Sequence, residues 1–169
     1  MRIANIEDVS LSNGPGVRTC LYIQGCPFHC KGCFNPETWD FNGGLPWDKE
    51  AKEKLWKYLD HDYIAGLSIL GGEPLDIGNI GEISKLIIEF KRDFPNKNIW
   101  IWTGNRLEDM ERFFTNGKKD LLTFLEPIDF IVDGLFVENL KDPSLKWRGS
   151  SNQRIIDVKE FIKNDGNIS

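Results

Sequence analysis

The chain has 169 residues, of which 40% are hydrophobic, and its formal net charge is −5 at pH 7. This length and composition allow one hydrophobic core, so we expect a single domain over residues 1–169. The negative charge offers no basic face to nucleic acid, and no apolar run approaches the roughly 18 residues that a membrane span needs. The first ten residues do not form a secretory signal, so we expect a cytoplasmic protein with reduced thiols.

Strand-like and helix-like patterns alternate along the chain. In order, they predict a strand over 18–24, a helix over 48–60, a strand over 67–70, a helix around 83–90, a strand over 99–102, a helix over 107–114 and a strand over 130–132. Strands separated by helices favour parallel β-α units joined by right-handed crossovers. A complete eightfold barrel needs about 250 residues, so the sequence predicts an α/β fold with a partial (β/α) barrel of parallel strands, or an open sheet.

Three of the four cysteines, Cys26, Cys30 and Cys33, lie in a loop directly after the first predicted strand. Their C-x3-C-x2-C spacing lets three thiolates converge on one centre, which suits an iron–sulfur cluster. A structural zinc site normally has all four positions filled by protein ligands. Because no fourth cysteine lies nearby, the spacing favours a cluster with one iron open to another ligand.

Other readings of the cysteines are less favoured. His29 or His61 could complete a zinc site, but the short tether between cysteines makes His29 a poor ligand. The thiols could also be inert or form disulfides, although a chain with four cysteines and no signal peptide argues against disulfides. Cys20 falls within an apolar run, so we expect it to pack in the first strand.

The other notable residues follow the remaining predicted strands. Gly71-Gly72-Glu73-Pro74 comes after the second strand, Thr103-Gly104 after the third and Asp133-Gly134 after the fourth. Ligands of parallel α/β folds bind at the carboxyl ends of strands, because the loops leaving those ends meet on one face. A diglycine alone is an ordinary turn signal. Together with the cysteine loop, it predicts a single site at this face.

The pairing of C-x3-C-x2-C with Gly-Gly-Glu-Pro about forty residues later resembles the radical S-adenosylmethionine enzymes. Within them, the sequence is most similar to the activating proteins of anaerobic ribonucleoside-triphosphate reductase. The stretches that carry this similarity cover nearly the whole chain: 13–18, 33–39, 102–104, 132–134 and 148–153. The resemblance implies a partial barrel of the radical-SAM type.

The resemblance also implies cofactors, a reaction and partners. Cys26, Cys30 and Cys33 would hold a 4Fe-4S cluster whose open iron is chelated by S-adenosyl-L-methionine. The reduced cluster would cleave this cofactor to methionine and a 5′-deoxyadenosyl radical, which removes hydrogen from a glycine of the large subunit of anaerobic ribonucleoside-triphosphate reductase. Such an oxidoreductase needs an electron donor such as flavodoxin or ferredoxin. No general base is required, because the abstracted particle is a hydrogen atom.

The site residues implied by the resemblance fall into two groups. Those expected to bind S-adenosylmethionine are Gly32, Cys33, Phe34, Gly71, Gly72, Glu73, Pro74, Thr103 and Asp133. Those expected in a lid or a partner contact are Arg148, Ser150 and Asn152. Many radical enzymes have an aromatic residue where Gly32 stands, so Phe34 or Phe28 becomes the candidate for adenine stacking, with hydrophobic packing as the alternative. Arg18 or Arg148 could pair with the methionine carboxylate or form a surface ion pair.

Two other functions remain open at this stage. An activating enzyme of another glycyl-radical protein, such as pyruvate formate-lyase, would share the cluster and the cofactor, but those chains resemble longer barrels. A non-catalytic iron–sulfur electron carrier or a zinc module would use the cysteines alone. That second class leaves the Gly-Gly-Glu-Pro stretch and the alignment of loops at the strand ends unexplained.

Overall fold

The computed structural model describes residues 1–167 as a mixed α/β fold; residues 168 and 169 of the predicted domain lie outside the described residues. The strands are β1 (Arg2–Ser10), β2 (Val17–Gln24), β3 (Leu45–Pro46), β4 (Ile64–Gly71), β5 (Asn98–Thr103), β6 (Phe130–Asp133) and β7 (Arg154–Asp157). The helices are α1 (Lys49–Leu59), α2 (Ile80–Asp93), α3 (Lys118–Leu125) and α4 (Val158–Lys163), and 3-10 helices lie at Pro36–Thr38, Leu107–Phe113 and Glu138–Leu140. Among the described helices, none has the length and apolarity to cross a membrane.

The strands form one seven-stranded sheet in the order β3-β1-β2-β4-β5-β6-β7. The four central strands β2, β4, β5 and β6 are parallel, as the alternation of strands and helices predicts. Both edges are antiparallel, because β1 pairs with β2 and β3, and β7 pairs with β6. The predicted α/β class is confirmed, and the four predicted strands are the parallel ones. The antiparallel strands β1, β3 and β7 were not predicted from the sequence pattern.

The helices lie on the core side of the sheet. Helix α1 begins at Asp48, whose carboxylate accepts a hydrogen bond from the Ala51 backbone N–H, and it buries Leu55 and Leu59. Helix α2 buries four residues on one face, the face that the sequence predicts: Ile83, Leu86, Ile87 and Phe90. Alternate residues of the parallel strands complete this core, while the residues between them point to the opposite face of the sheet.

The segment over 107–114 is a 3-10 helix at Leu107–Phe113 rather than an α-helix. Leu107 and Met110 are both buried, and their spacing of three residues matches the period of a 3-10 helix. The α-helix between β5 and β6 is α3, which begins at Lys118 after Gly117, a residue with a positive φ of 56°. The sequence pattern therefore indicates a helical connection but misplaces its α-helical part.

Arg18 lies at the start of β2, the end of the strand opposite the cysteine loop. Its side chain is fully buried and donates to Ser68 Oγ at 2.6 Å and Asn98 Oδ1 at 2.7 Å. Burial lowers the pKa of Arg18 to about 10. Strand residues advance about 3.3 Å each, so most of the length of β2 separates Arg18 from the cysteines. Arg18 is thus a buried structural residue, and it does not fit the role of partner for the methionine carboxylate.

Candidate functional site

The cysteine loop leaves the end of β2 and is closed by backbone hydrogen bonds. Gly25 N donates to Thr38 O at 2.7 Å, and Cys26 N donates to Trp39 O at 3.2 Å. Cys33 N donates to Cys30 O at 3.1 Å, which makes the tight turn between the last two cysteines. Burial raises the pKa of the Cys26 and Cys30 thiols. Binding of iron must therefore displace their protons.

The three cysteines line one cavity of about 130 Å³. Within residues 1–167, no three His, Cys, Asp or Glu side chains are arranged to hold a single metal ion. The His29 ring instead stacks on Trp39, with ring centroids 4.6 Å apart. This arrangement does not form a single-ion zinc site. It suits a multi-iron cluster, because each cysteine then binds a different iron.

A second cavity of about 540 Å³ adjoins the first. The residues that line both are Phe34, Asn35, Gly71, Trp102, Phe136 and Gln153. Sites for small organic molecules commonly have volumes of about 300–1,000 Å³. The larger cavity is therefore of a size to hold an organic cofactor directly beside the cysteines.

The diglycine joins the end of β4 to the cysteine loop. Gly72 N donates to Ile23 O and Glu73 N donates to Gly25 O, both at 2.8 Å. Gly71 has a positive φ of 104°, and a Cβ on Gly72 would lie 2.3 Å from the Gly25 carbonyl oxygen. Only glycine permits this close approach of two backbones. The Gly71–Pro74 turn is thereby held against the start of the loop that carries the cysteines.

Glu73 is buried and bridges the loops after β4 and β5. Its carboxylate accepts hydrogen bonds from Thr103 Oγ1 at 2.7 Å, Gly104 N at 2.7 Å and Leu75 N at 2.8 Å. Burial raises the pKa of Glu73 to about 7, against the opposing effect of these hydrogen bonds. The Thr103 hydroxyl is thus engaged by Glu73, so its position in the site depends on this carboxylate.

The raised pKa of Glu73 makes the stability of the apoprotein depend on pH. Between its ordinary value of 4.5 and about 7, the folded protein keeps a proton that the unfolded chain has released. We therefore expect the free energy of unfolding to fall as pH rises through this window, by up to about 1.4 kcal/mol per pH unit. Anaerobic urea unfolding of the wild type and of Glu73→Gln at several pH values measures the effect. An equal pH slope for both proteins would contradict this assignment.

Asp133 is fully buried at the end of β6. It accepts hydrogen bonds from Arg154, including one from Arg154 Nε at 2.8 Å, from Arg106 Nη1 at 3.4 Å and from Leu107 N at 3.0 Å. Hydrogen bonding to Asp133 and Glu108 raises the pKa of Arg154 above its ordinary value. In this structure Asp133 joins the ends of β6 and β7, while its neighbour Gly134 lines the cavity of the cysteines.

The aromatic residues of the cysteine loop take two positions. Phe34 is 59% exposed at the rim of both cavities, and its ring centroid lies 5.2 Å from that of Phe136. Phe28 packs over Gly104, where a Cβ would come within 2.6 Å of its ring. Gly32 has a positive φ of 73°, and a Cβ there would lie 2.8 Å from Glu138 Oε1. Of the two candidates for adenine stacking, Phe34 and Phe28, Phe34 is therefore the exposed ring at the rim.

The 134–153 segment folds over this face and is held together by its own polar side chains. Gln153 Oε1 accepts from Gly149 N at 2.8 Å and from Ser150 N at 3.1 Å, while Gln153 Nε2 donates to Gly134 O at 3.0 Å. Ser150 Oγ accepts from Val137 N at 3.2 Å, and Asn152 Nδ2 donates to Leu135 O at 2.8 Å. The segment is therefore an ordered cover that crosses both cavities.

Comparison with known proteins places the chain in a family. The family described as "4Fe-4S single cluster domain" matches residues 12–156. The chain is 40% identical to the anaerobic ribonucleoside-triphosphate reductase-activating protein of Salmonella typhi over 155 residues, which covers 90% of this chain and 96% of that protein. The chain belongs to the family of these activating proteins. The proteins of the same name from Escherichia coli strain K12 and Enterobacteria phage T4 are also each 40% identical, over 86% and 92% of this chain and 91% and 93% of their own lengths.

The predicted family is confirmed by these matches, and with it the predicted cofactors of the activating proteins, a 4Fe-4S cluster and S-adenosyl-L-methionine. The roles of individual residues stay predictions, but the structure shows which of them lie together. In this activating protein, the predicted site residues that line the cavity of the cysteines are Cys26, Cys30, Cys33, Phe34, Gly71, Gly72, Glu73 and Thr103. Arg148 lines only the larger cavity, and the residues that line neither are Gly32, Pro74, Asp133, Ser150 and Asn152.

The sequence did not predict Gln153 or Trp39 as site residues, although both line the cavity of the cysteines in this activating protein. Both fall within the stretches that carry the family resemblance, Trp39 at the end of 33–39 and Gln153 at the end of 148–153. Their position within these stretches is the sequence signal that could have identified them as site residues. Their part in the site depends on chain segments that meet only in the folded protein.

Proposed function

We propose that this protein activates anaerobic ribonucleoside-triphosphate reductase by generating a glycyl radical on its large subunit. The observation that carries the proposal is the cavity that Cys26, Cys30 and Cys33 share with Gly71, Gly72, Glu73 and Thr103. A zinc module or a simple electron carrier has no use for a second cavity of about 540 Å³ beside the cysteines. An enzyme that holds an organic cofactor next to a cluster requires one.

In this proposal Cys26, Cys30 and Cys33 hold the 4Fe-4S cluster. When bound, the reduced cluster supplies one electron that cleaves S-adenosylmethionine to methionine and a 5′-deoxyadenosyl radical. An electron donor such as flavodoxin or ferredoxin would reduce the cluster, and the partly exposed Cys30 and Cys33 lie on the side from which a donor can approach. The protein's own contribution is to position the cofactor and to keep water from the radical.

The proposed cofactor contacts follow from the positions of the loops. Gly71 and Gly72 line the cavity without a Cβ in the way, and the hydrogen bonds from Gly72 N and from the buried Glu73 fix their turn, which ends at Pro74. Gly32, Cys33 and Phe34 would approach the adenine. Thr103 and Asp133 would act mainly by holding the strand ends in place, Thr103 through Glu73 and Asp133 through its two arginines.

We further propose that residues 1–169 form one radical-SAM domain folded as a partial (β/α) barrel in the cytoplasm, without nucleic-acid or membrane partners.

A partial barrel is open on one side. Exposed apolar side chains gather on the cysteine loop and the 134–153 segment near this mouth: Phe34, Leu135, Val137 and Leu140. The large reductase subunit could cover this rim and exclude water from the radical.

Arg148 is proposed as part of the lid or of the contact with the reductase. Its Nη1 donates to Gln153 O at 2.7 Å, and its side chain lines the larger cavity. We expect Arg148→Ala to reduce activation of the reductase by about tenfold, the scale of one lost charge-assisted contact. Lys146→Ala is the control, because Lys146 is an exposed neighbour in the same segment. Glycyl-radical yield at matched protein concentrations measures both, and equal yields for the wild type and Arg148→Ala would remove Arg148 from the contact.

The proposed function is tested by anaerobic reconstitution with iron and sulfide, reduction, and addition of S-adenosylmethionine. We expect 5′-deoxyadenosine to form, and its formation to couple to radical transfer when the large reductase subunit is present. Cleavage coupled only to pyruvate formate-lyase would assign the enzyme to another glycyl-radical protein. A cluster-loaded protein that neither binds nor cleaves S-adenosylmethionine would be an electron carrier, and the proposal would be wrong.

A further inference from the structure

One residue that lines the cavity of the cysteines has a buried polar atom that no protein group satisfies. In residues 1–167, the buried side-chain nitrogen and oxygen atoms without a hydrogen-bond partner are Trp39 Nε1, Trp100 Nε1 and Asn152 Oδ1. Among these residues, only Trp39 lines the cavity of the cysteines. A buried N–H without an acceptor is costly, so each such group calls for an acceptor that the protein itself does not supply.

The Trp39 ring is held in place from several sides. The Trp39 backbone oxygen accepts a hydrogen bond from Cys26 N at 3.2 Å, and the Trp39 backbone N–H donates to Pro36 O at 3.2 Å. The His29 ring stacks on the indole with the two planes 15° apart. These contacts tie the indole to the same loop that carries the cysteines. The ring cannot easily turn its N–H towards solvent without breaking the stack with His29.

We propose that the indole N–H of Trp39 donates a hydrogen bond to a sulfur of the 4Fe-4S cluster. The proposal rests on the proposed function only in requiring that Cys26, Cys30 and Cys33 hold such a cluster. Trp39 lines the same cavity as these cysteines, and its indole N–H has no acceptor among the protein groups described. A bound cluster would bring sulfur atoms next to the ligating thiolates, and these sulfurs would be acceptors for the indole N–H.

A hydrogen bond of this kind has a defined electrochemical effect. Reduction adds negative charge to the cluster, and hydrogen bonds to its sulfurs stabilise the more negative state. Trp39 would therefore raise the reduction potential and make the cluster easier for the electron donor to reduce. It acts as a positioning and tuning residue, because it touches the cluster rather than the atoms of S-adenosylmethionine that react.

The first test is a redox titration of the reconstituted protein followed by electron paramagnetic resonance. We expect Trp39→Phe to have a more negative potential than the wild type; a bond that favours the reduced state about tenfold corresponds to about 59 mV for one electron. Trp56→Phe is the matched control, because Trp56 Nε1 donates to Asp93 Oδ2 at 2.8 Å on the helical surface. Its potential should equal that of the wild type. Iron content reports whether each variant holds its cluster.

The second test does not depend on any variant. In the wild type with ¹⁵N-labelled tryptophan, pulsed electron paramagnetic resonance of the reduced cluster should detect a nitrogen coupling, together with an exchangeable proton. Absence of this coupling would overturn the proposal, as would an unchanged potential in a fully loaded Trp39→Phe protein. Neither result affects the activating function, which is measured with S-adenosylmethionine and the reductase. A protein that binds no cluster would overturn the activating function and this proposal together.

Discussion

Cys30→Ala is expected to lose the 4Fe-4S cluster and to reduce cleavage of S-adenosylmethionine at least about 100-fold, since changes even in the shell around a metal ligand cost 10–100-fold. The variant keeps only Cys26 and Cys33 as ligands on the wall of the cavity. No other cysteine can replace Cys30, because Cys20 is buried within β2. Iron and sulfide content, visible absorbance and 5′-deoxyadenosine formation measure the effect.

Cys20→Ala is the control for this experiment. Cys20 is buried in the sheet, where Asn13 Nδ2 donates to its sulfur at 3.5 Å, and it lines neither cavity at the site. Its replacement removes a thiol while leaving all three proposed ligands in place, so we expect full iron content and cleavage. A Cys30→Ala protein with the iron content and cleavage rate of Cys20→Ala would contradict the assignment of the cluster to this loop.

Gly72→Ala is expected to reduce affinity for S-adenosylmethionine and to destabilise the protein by about 1–3 kcal/mol, the usual cost of overpacking. The new Cβ would lie 2.3 Å from the Gly25 carbonyl oxygen, so the end of β4 must move away from the cysteine loop. This movement breaks the hydrogen bonds from Gly72 N to Ile23 O and from Glu73 N to Gly25 O. Anaerobic calorimetric titration with the cofactor and denaturant unfolding measure the two effects.

Gly81→Ala provides the matched control for Gly72→Ala. Gly81 lies in α2, and a Cβ at this position would have no heavy atom within 4 Å. Alanine is a better helix former than glycine by about 0.8–1.0 kcal/mol. We therefore expect Gly81→Ala to be slightly more stable than the wild type, with unchanged cofactor affinity. If Gly72→Ala bound the cofactor as tightly as Gly81→Ala, the turn would not position S-adenosylmethionine.

The parts of the site that could be predicted from sequence depend on local spacing. Cys26, Cys30 and Cys33 lie within eight residues, so one loop brings them to one cavity. The apolar runs that end at Gly25 and Gly71 correctly mark β2 and β4, since buried parallel strands are short and continuous. The placement of their loops at one face then follows from the parallel arrangement of the central strands.

The parts that could not be predicted depend on contacts distant in sequence. Strand β1, which lies between β3 and β2, is interrupted by irregular register, which hides the alternation of buried and exposed residues. The short β7 pairs with β6, so its position is set by a partner strand that is distant in sequence, as in the pairs of Phe130 with Asp157 and Asp133 with Arg154. Thr103 donates to Glu73 thirty residues away, and Asp133 binds Arg106 and Arg154 from two other segments. Thr103 and Asp133, which were predicted at the cofactor, therefore each have protein partners that local sequence spacing does not reveal.

The most direct test of the activating function is an electron paramagnetic resonance spectrum of the large reductase subunit after anaerobic incubation with the reduced, cluster-loaded protein and S-adenosylmethionine. We expect the doublet of a glycyl radical on the reductase, formed in step with 5′-deoxyadenosine and missing when Cys30→Ala replaces the wild type. Formation of 5′-deoxyadenosine by the wild type with no radical on the reductase would contradict the account, because the target would then be another molecule.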